Sequence, residues 1–125
     1  SKLVTFQPDQ NIGEVFEKLI NKNISGGPVV DNKGNLVGVI SEGDCLKEVV
    51  RGKYNNSPNK AGIVSDHMVS DVHTIPPNMP ILEVAHRFLE LKVRRFPVMD
   101  EGKLVGQISQ RDVMRAVREL KHQTW

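Results

Sequence analysis

The sequence predicts an α/β protein made of two β-α-β-β-α repeats packed about a pseudo-twofold axis. Three observations carry this. The chain repeats itself in register. Each copy alternates helix-type and strand-type spacing of its apolar residues. And a single copy of about 50 residues exposes too much apolar surface to stand alone, so the two must bury each other.

The repeat relates Val4–Val50 to His73–Arg118. At an offset of 69, Thr5 meets Thr74, Pro8 meets Pro77, and Pro28, Val29 and Asp31 meet Pro97, Val98 and Asp100. One residue is lost from the second turn. At an offset of 68, Gly34, Leu36, Val37, Gly38, Ile40, Ser41 and Asp44 then meet identical residues at 102, 104, 105, 106, 108, 109 and 112. Chance does not produce that run of identities.

Each copy opens with a short strand, Val4-Thr5-Phe6 or Val72 to Ile75, broken by Pro8 or Pro77-Asn78. A helix follows. Ile12, Val15, Phe16, Leu19 and Ile20, and likewise Ile81, Val84, Ala85, Phe88 and Leu89, mark its buried stripe. A proline-led strand (Pro28-Val29-Val30 or Pro97-Val98-Met99) runs through a tight turn into a third strand, Leu36–Ile40 or Leu104–Ile108, that ends at a serine. The last helix carries Leu46, Val49 and Val50, or Val113, Met114 and Val117. The expected organisation is repeat 1 over 1–50, a turn-rich surface linker over 51–66 and repeat 2 over 67–122, together one globular unit.

The bulk properties narrow the function. In 125 residues the net charge is +2 and aromatics make up 5%, which argues against nucleic acid and against an anionic membrane. No apolar stretch is long enough to span a bilayer. One cysteine, Cys45, precludes an internal disulfide and fits a reducing, cytoplasmic location. It occupies the position of Val113, so it reads as a small buried residue. His67, His73, His86 and His122 have no metal-ligand spacing with Cys45 or each other. There is no nucleophile–base pair and no phosphate-cradling loop, so no enzyme is expected.

The segments Gly38-Val39-Ile40-Ser41-Glu42-Gly43-Asp44 and Gly106-Gln107-Ile108-Ser109-Gln110-Arg111-Asp112 carry the spacing G-h-x-[ST]-x-x-D twice. With a Pro-Val-h-Asp strand ahead of each, and Asp66-His67-Met68 as a D-x-M lead-in, the chain resembles a tandem pair of CBS (cystathionine-beta-synthase) domains, a Bateman module. The first copy lacks its own lead-in ahead of Ser1 and the chain has no initiating Met, which supports a missing N-terminal piece.

The resemblance implies a regulatory module that binds an adenine nucleotide or analogue (AMP, ADP, ATP or S-adenosylmethionine) between the repeats, with no obligatory cofactor. It implies that the aspartate takes the ribose diol, that the serine lies near ribose and phosphate, and that the opening segment of the opposite repeat frames the base. By position, one cleft uses Ser41 and Asp44, with Gly26 beside them and Met68 to His73 (Val72 and His73 among them) crossing over. The other uses Ser109 and Asp112 with Leu3 and Val4. Arg94, Arg95 and Arg111 gather at this second cleft, where the first has Ser25, Gly26 and Gly43, so a phosphate tail is favoured there. The resemblance also implies a homodimer through the helices.

Plainer readings stand beside these. Ser-x-x-Asp is also a helix N-cap with an acidic first turn, and capping is compatible with ligand contact. Arg94, Arg95 and Arg111 also fit a solvated surface, Gly26-Gly27 a loop bend, and Trp125 either a frayed end or a dimer contact. A ligand-free dimerisation or scaffold module is the alternative function.

Overall fold

The computed structural model describes residues 3–51 and 62–124. The chain divides into two compact units, Ser1–Val72 and His73–Trp125. Most of the stretch read as a linker, and Trp125, lie outside the described residues.

Unit 1 opens with a single rung where a short strand was expected. Phe6 N–H donates to Pro28 O at 2.9 Å and Val30 N–H donates to Phe6 O at 2.8 Å, a parallel bridge to Val29. Pro8 has no N–H to extend the ladder. Helix α1 (Ile12–Lys22) starts at Asn11, whose Oδ1 accepts from Gly13 N at 2.7 Å, and ends at Asn23 in the left-handed conformation. The strands β1 (Gly26–Val30) and β2 (Leu36–Ser41) pair antiparallel from Gly26↔Ser41 to Val30↔Leu36, with a bulge at Val29/Val30. At their turn Asp31 Oδ1 accepts from Asn35 N at 2.8 Å and Lys33 N at 2.9 Å. Those donors, Asn35 first, hold the Asp31 carboxyl below its ordinary value. Helix α2 (Glu42–Val50) follows.

Residues 62–69 then return to the same unit as a strap around one short helical turn, α3 (Val64–His67). Ile12 N–H donates to Gly62 O, Val64 N–H to Gln10 O and Ser65 N–H to Pro8 O. Val69 exchanges two 2.9 Å hydrogen bonds with Val39 on the outer edge of β2. Asp66-His67-Met68, which in sequence leads into the second repeat, is therefore folded into unit 1. Val64 is fully buried in its core and Met68 packs against it.

Unit 2 repeats the plan. Ile75 forms the parallel bridge to Val98. Helix α4 (Ile81–Leu91), strands β3 (Arg95–Asp100) and β4 (Lys103–Ser109), and helix α5 (Gln110–Thr124) follow. The strands pair antiparallel with a bulge at Val98/Met99, the counterpart of that in unit 1. The shorter turn is a two-residue one, Glu101-Gly102, with both φ angles positive.

The two cores share a plan but place their aromatic ring differently. In unit 1 the ring is Phe6 on the opening segment, beside Gly27. A Cβ on Gly27 would lie 3.2 Å from Phe6 Cε2 and 2.8 Å from Val4 O. In unit 2 the same two positions are Ile75 and Phe96, and the ring comes from β3, its centroid 4.4 Å from that of Phe88 with the ring planes tilted by 44°. A cation from the first helix of each unit covers its ring. Lys18 Nζ lies 5.8 Å from the Phe6 centroid and its counterpart, the Arg87 guanidinium, 5.9 Å from that of Phe96.

Helix faces depart from expectation in one consistent way. Ile12, Val15 and Leu19 are buried, but Ile20 is 62% exposed and its counterpart Leu89 is 76% exposed. On α2, Leu46 and Val50 face out, while Cys45 and Glu48 are buried. On α5, Val113 is buried and Met114 is exposed. A helix packed on a narrow sheet buries one stripe, so an apolar band wider than that stripe keeps a second edge in solvent.

Glu48 is fully buried. Its Oε2 accepts from Arg51 Nη1 at 2.7 Å and lies 3.6 Å from His67 Nδ1 on the strap, while Oε1 has no hydrogen-bond partner among the described residues.

Because backbone and a packed ring crowd Gly27, Gly27→Ala is expected to cost about 1–3 kcal/mol, read as a lower urea midpoint at unchanged slope.

Candidate functional site

Each third strand ends at a serine whose extended backbone turns the chain into a helix. Ser41, at φ −134 and ψ 166, is the N-cap of α2. Its N–H donates to Asp44 Oδ2 at 2.8 Å and its hydroxyl donates to the same oxygen at 3.0 Å, while Asp44 N–H donates back to Ser41 Oγ at 3.4 Å. Unit 2 repeats this: Ser109 N–H and Oγ reach Asp112 Oδ2 at 2.8 and 3.0 Å, and Asp112 N–H reaches Ser109 Oγ at 3.2 Å. Both motifs therefore form reciprocal capping boxes.

The capping geometry sorts the carboxylate oxygens. Oδ2 of each aspartate is held by its serine. On half-buried Asp44 the other oxygen, Oδ1, has no partner among the described residues. On exposed Asp112, Oδ1 lies 3.7 Å from Arg115 Nη1, an open contact of small energetic weight. A cap thus leaves one carboxylate oxygen available to accept hydrogen bonds from a second hydroxyl group.

The loop ahead of the first sheet strand is tied to the same end of each unit. In unit 1, Glu42 N–H donates to Ser25 O at 2.8 Å and Gly26 pairs with Ser41. In unit 2, Gln110 Nε2 donates to Val93 O at 3.4 Å and Arg95 pairs with Ser109. Unit 2 therefore gathers Arg94, Arg95, Ser109, Arg111 and Asp112 at one sheet end, and unit 1 gathers Ser25, Gly26, Ser41, Gly43 and Asp44. Arg111 is exposed in the first turn of α5, where α2 has Gly43. Leu3, Val4 and Val72 belong to unit 1 and His73 opens unit 2.

Cys45, next to Asp44, is buried. Burial, with the Asp44 charge adding to it, pushes its thiol up to about 11. No group of three His, Cys, Asp or Glu side chains among the described residues is arranged to hold a metal ion. No helix among them is long and apolar enough to cross a membrane.

Two successive β-α-β-β-α units, each ending its sheet in a Ser–Asp capping box, define a tandem-repeat module with one candidate ligand site per repeat. The CBS domain profile matches residues 1–51 and 64–119, and the chain belongs to that family as a tandem pair. It is 28% identical over 142 residues to the chloroplastic CBS domain-containing protein CBSX2 of Arabidopsis thaliana, covering 94% of this chain and 60% of that protein. A crystal structure of CBSX2 in complex with AMP superposes with a TM-score of 0.83 at 30% identity, covering 96% of this chain and 90% of that one. The CBS domain pair of protein MJ0100, in complex with 5'-methylthioadenosine and S-adenosyl-L-methionine, gives 0.80 at 26% identity, covering 96% and 91%. The chain spans 60% of curated CBSX2, and only 39% of the uncharacterized protein MJ1225 of Methanocaldococcus jannaschii, to which it is 27% identical over 113 residues covering 90% of this chain.

The raised Cys45 thiol has a direct consequence. At pH 8 the folded protein should react with iodoacetamide roughly 100-fold more slowly than the same chain in denaturant, since the thiolate is the nucleophile. Equal rates would show that the thiol is neither buried nor shifted.

Proposed function

We propose that this protein is a ligand-sensing regulatory module that binds an adenine nucleotide or an adenosine analogue and performs no catalysis itself. The observation that carries the reading is the doubled Ser–Asp box, which leaves a carboxylate oxygen at the end of each sheet. A ribose diol asks for such an acceptor. The AMP complex of CBSX2 and the 5'-methylthioadenosine and S-adenosyl-L-methionine complex of MJ0100 support adenosine-type chemistry.

The ligand contacts proposed are Ser41, Asp44 and Gly26 in unit 1 and Arg94, Arg95, Ser109, Arg111 and Asp112 in unit 2, with Leu3, Val4, Val72 and His73 as wall residues. The arginines favour the unit 2 site for a phosphate-bearing ligand, because guanidinium–phosphate contacts are charge-assisted. The unit 1 site suits an uncharged moiety. The boundaries proposed for the two repeats are 1–50 and 67–122, and the single buried thiol supports a cytoplasmic setting.

In calorimetry, AMP or ATP binding is expected to weaken about 10- to 100-fold in Asp112→Ala and in Arg95→Ala. Asp44→Ala should matter less for these charged ligands. The cap lost with either aspartate lowers stability by about 1 kcal/mol, so each variant's unfolding midpoint is measured alongside. Wild-type affinity in Asp112→Ala would refute the site assignment. If AMP, ADP, ATP and S-adenosylmethionine all leave the melting temperature unchanged at millimolar concentration, a ligand-free dimerisation or scaffold module is the correct reading.

The outward helix edges support a homodimer. Ile20, Leu46 and Val50 on α1 and α2, and Leu82, Leu89, Met114 and Leu120 on α4 and α5, are exposed apolar side chains. Sedimentation of the wild type should give a dimer that Ile20→Asp with Leu89→Asp converts to a folded monomer. A wild-type monomer at tens of micromolar would reject this assignment.

A further inference from the structure

Among the described residues one charged side chain is fully buried, and it lies where the strap meets α2. Glu48 Oε2 accepts from Arg51 Nη1 at 2.7 Å and lies 3.6 Å from His67 Nδ1, a gap too wide for a hydrogen bond. Oε1 has no hydrogen-bond partner among the described residues. The two neighbours differ in setting. The Arg51 side chain is 57% exposed and reaches in from solvent, whereas that of His67 is 15% exposed and lies against the carboxyl from the strap. The plan of the repeat does not ask for a carboxyl here, since the counterpart of Glu48 in unit 2 is Ala116. A carboxyl group out of water with an unmet acceptor works against whatever arrangement buries it.

Part of that arrangement can come away. The strap is joined to the rest of unit 1 by main-chain bonds from Ile12 to Gly62, Val64 to Gln10, Ser65 to Pro8 and between Val39 and Val69. The remainder of the unit has its own bonds. Phe6 is held by Pro28 and Val30, β1 pairs with β2, and α2 starts at its Ser41–Asp44 box. Lifting the strap therefore leaves those elements bonded, takes Val64 and Met68 off the core, and lets water reach Glu48. Loss of the apolar contacts favours the docked strap, and hydration of the carboxyl favours the open one. An element with few buried apolar contacts opens ahead of the domain that carries it.

We propose that Glu48 is a built-in release element: it keeps residues 62–69 close to the balance between docked and open, so that the strap opens as one unit while the core of unit 1 stays folded. Val64, Met68 and the main-chain bonds hold the strap down, and the buried carboxyl pushes it off. The chain runs on from the strap through Ser70 to His73, where unit 2 begins, so an open strap becomes part of the connection between the two units. A molecule that contacts the strap only in its docked form shifts this equilibrium by its differential affinity for the two forms. The equilibrium itself does not depend on nucleotide binding.

Native-state hydrogen exchange of the full chain, followed by amide NMR without ligand, tests this. In the wild type the amides of Val39, Val64, Ser65 and Val69 should exchange together, about tenfold faster than those of Phe6 and Val30, which report on the core of the same unit. Glu48→Met replaces the carboxyl with an apolar side chain of similar length. It strands no buried charge, because Arg51 already reaches water. The strap amides should then slow about 5- to 10-fold, and Glu48→Leu, a second apolar replacement, should act in the same direction. Wild-type strap amides that exchange no faster than Phe6 and Val30 would show that the strap opens only with the whole unit, and the proposal fails. It fails equally if neither apolar variant slows the strap amides, because Glu48 would then be a net tie rather than a release.

Discussion

The turn from the last strand of each sheet into the following helix depends on one small arrangement. A serine gives its N–H and its hydroxyl to the same aspartate oxygen, and that aspartate's N–H returns to the serine oxygen. This fixes the helix start relative to the strand, satisfies an N-terminal N–H that the helix cannot satisfy itself, and leaves the second carboxylate oxygen at the sheet's end. The loop bonds from Ser25 to Glu42 and from Val93 to Gln110 then draw the first sheet strand to the same place. Folding and the candidate recognition surface share these few atoms. A residue that caps a helix and also faces a ligand ties binding to local stability, which is how a ligand can bias a conformational equilibrium.

What the sequence made legible was local and periodic. The offset from Thr5/Thr74 to Asp44/Asp112 identifies both units, and the tight turns fix the registers Gly26↔Ser41 and Arg95↔Ser109. Capping follows from residue type and spacing alone, and ligand contact is compatible with it. What stayed hidden depends on partners distant in the chain. Glu48 reads as an ordinary helix-surface glutamate until Arg51 and His67 close over it. Its counterpart in unit 2 is Ala116, so the repeat gives no hint of it. The strap was hidden for the same reason, since Asp66-His67-Met68 reads forward into the second repeat while its hydrogen bonds run back to Pro8, Gln10 and Val39. The helix faces depart from the expected buried stripe where periodicity reports apolar character but not what covers it, as at Ile20 and Leu89.

The buried Glu48 bears on how firmly the strap is held. A carboxyl group removed from water with one oxygen unpartnered among the described residues is a costly group, and its neighbours are Arg51, just past the end of α2, and His67 of α3. The other attachments are backbone hydrogen bonds, the buried side chain of Val64 and the packing of Met68 against the core. The strap is thus a substantial part of unit 1, although it lies beyond α2 in the chain.

The aromatic rings set a limit on how freely the repeats can be exchanged. Each core has room for one ring at this place, filled from the opening segment in unit 1 and from the proline-led strand in unit 2. A chimera joining the opening segment of the first repeat to the hairpin of the second would bring Phe6 and Phe96 into the same space. The reciprocal chimera would bring Ile75 and Gly27 together and leave a void. Despite their shared register the halves have become complementary sets of parts, in which a change on one strand is tolerated only with its match on the other.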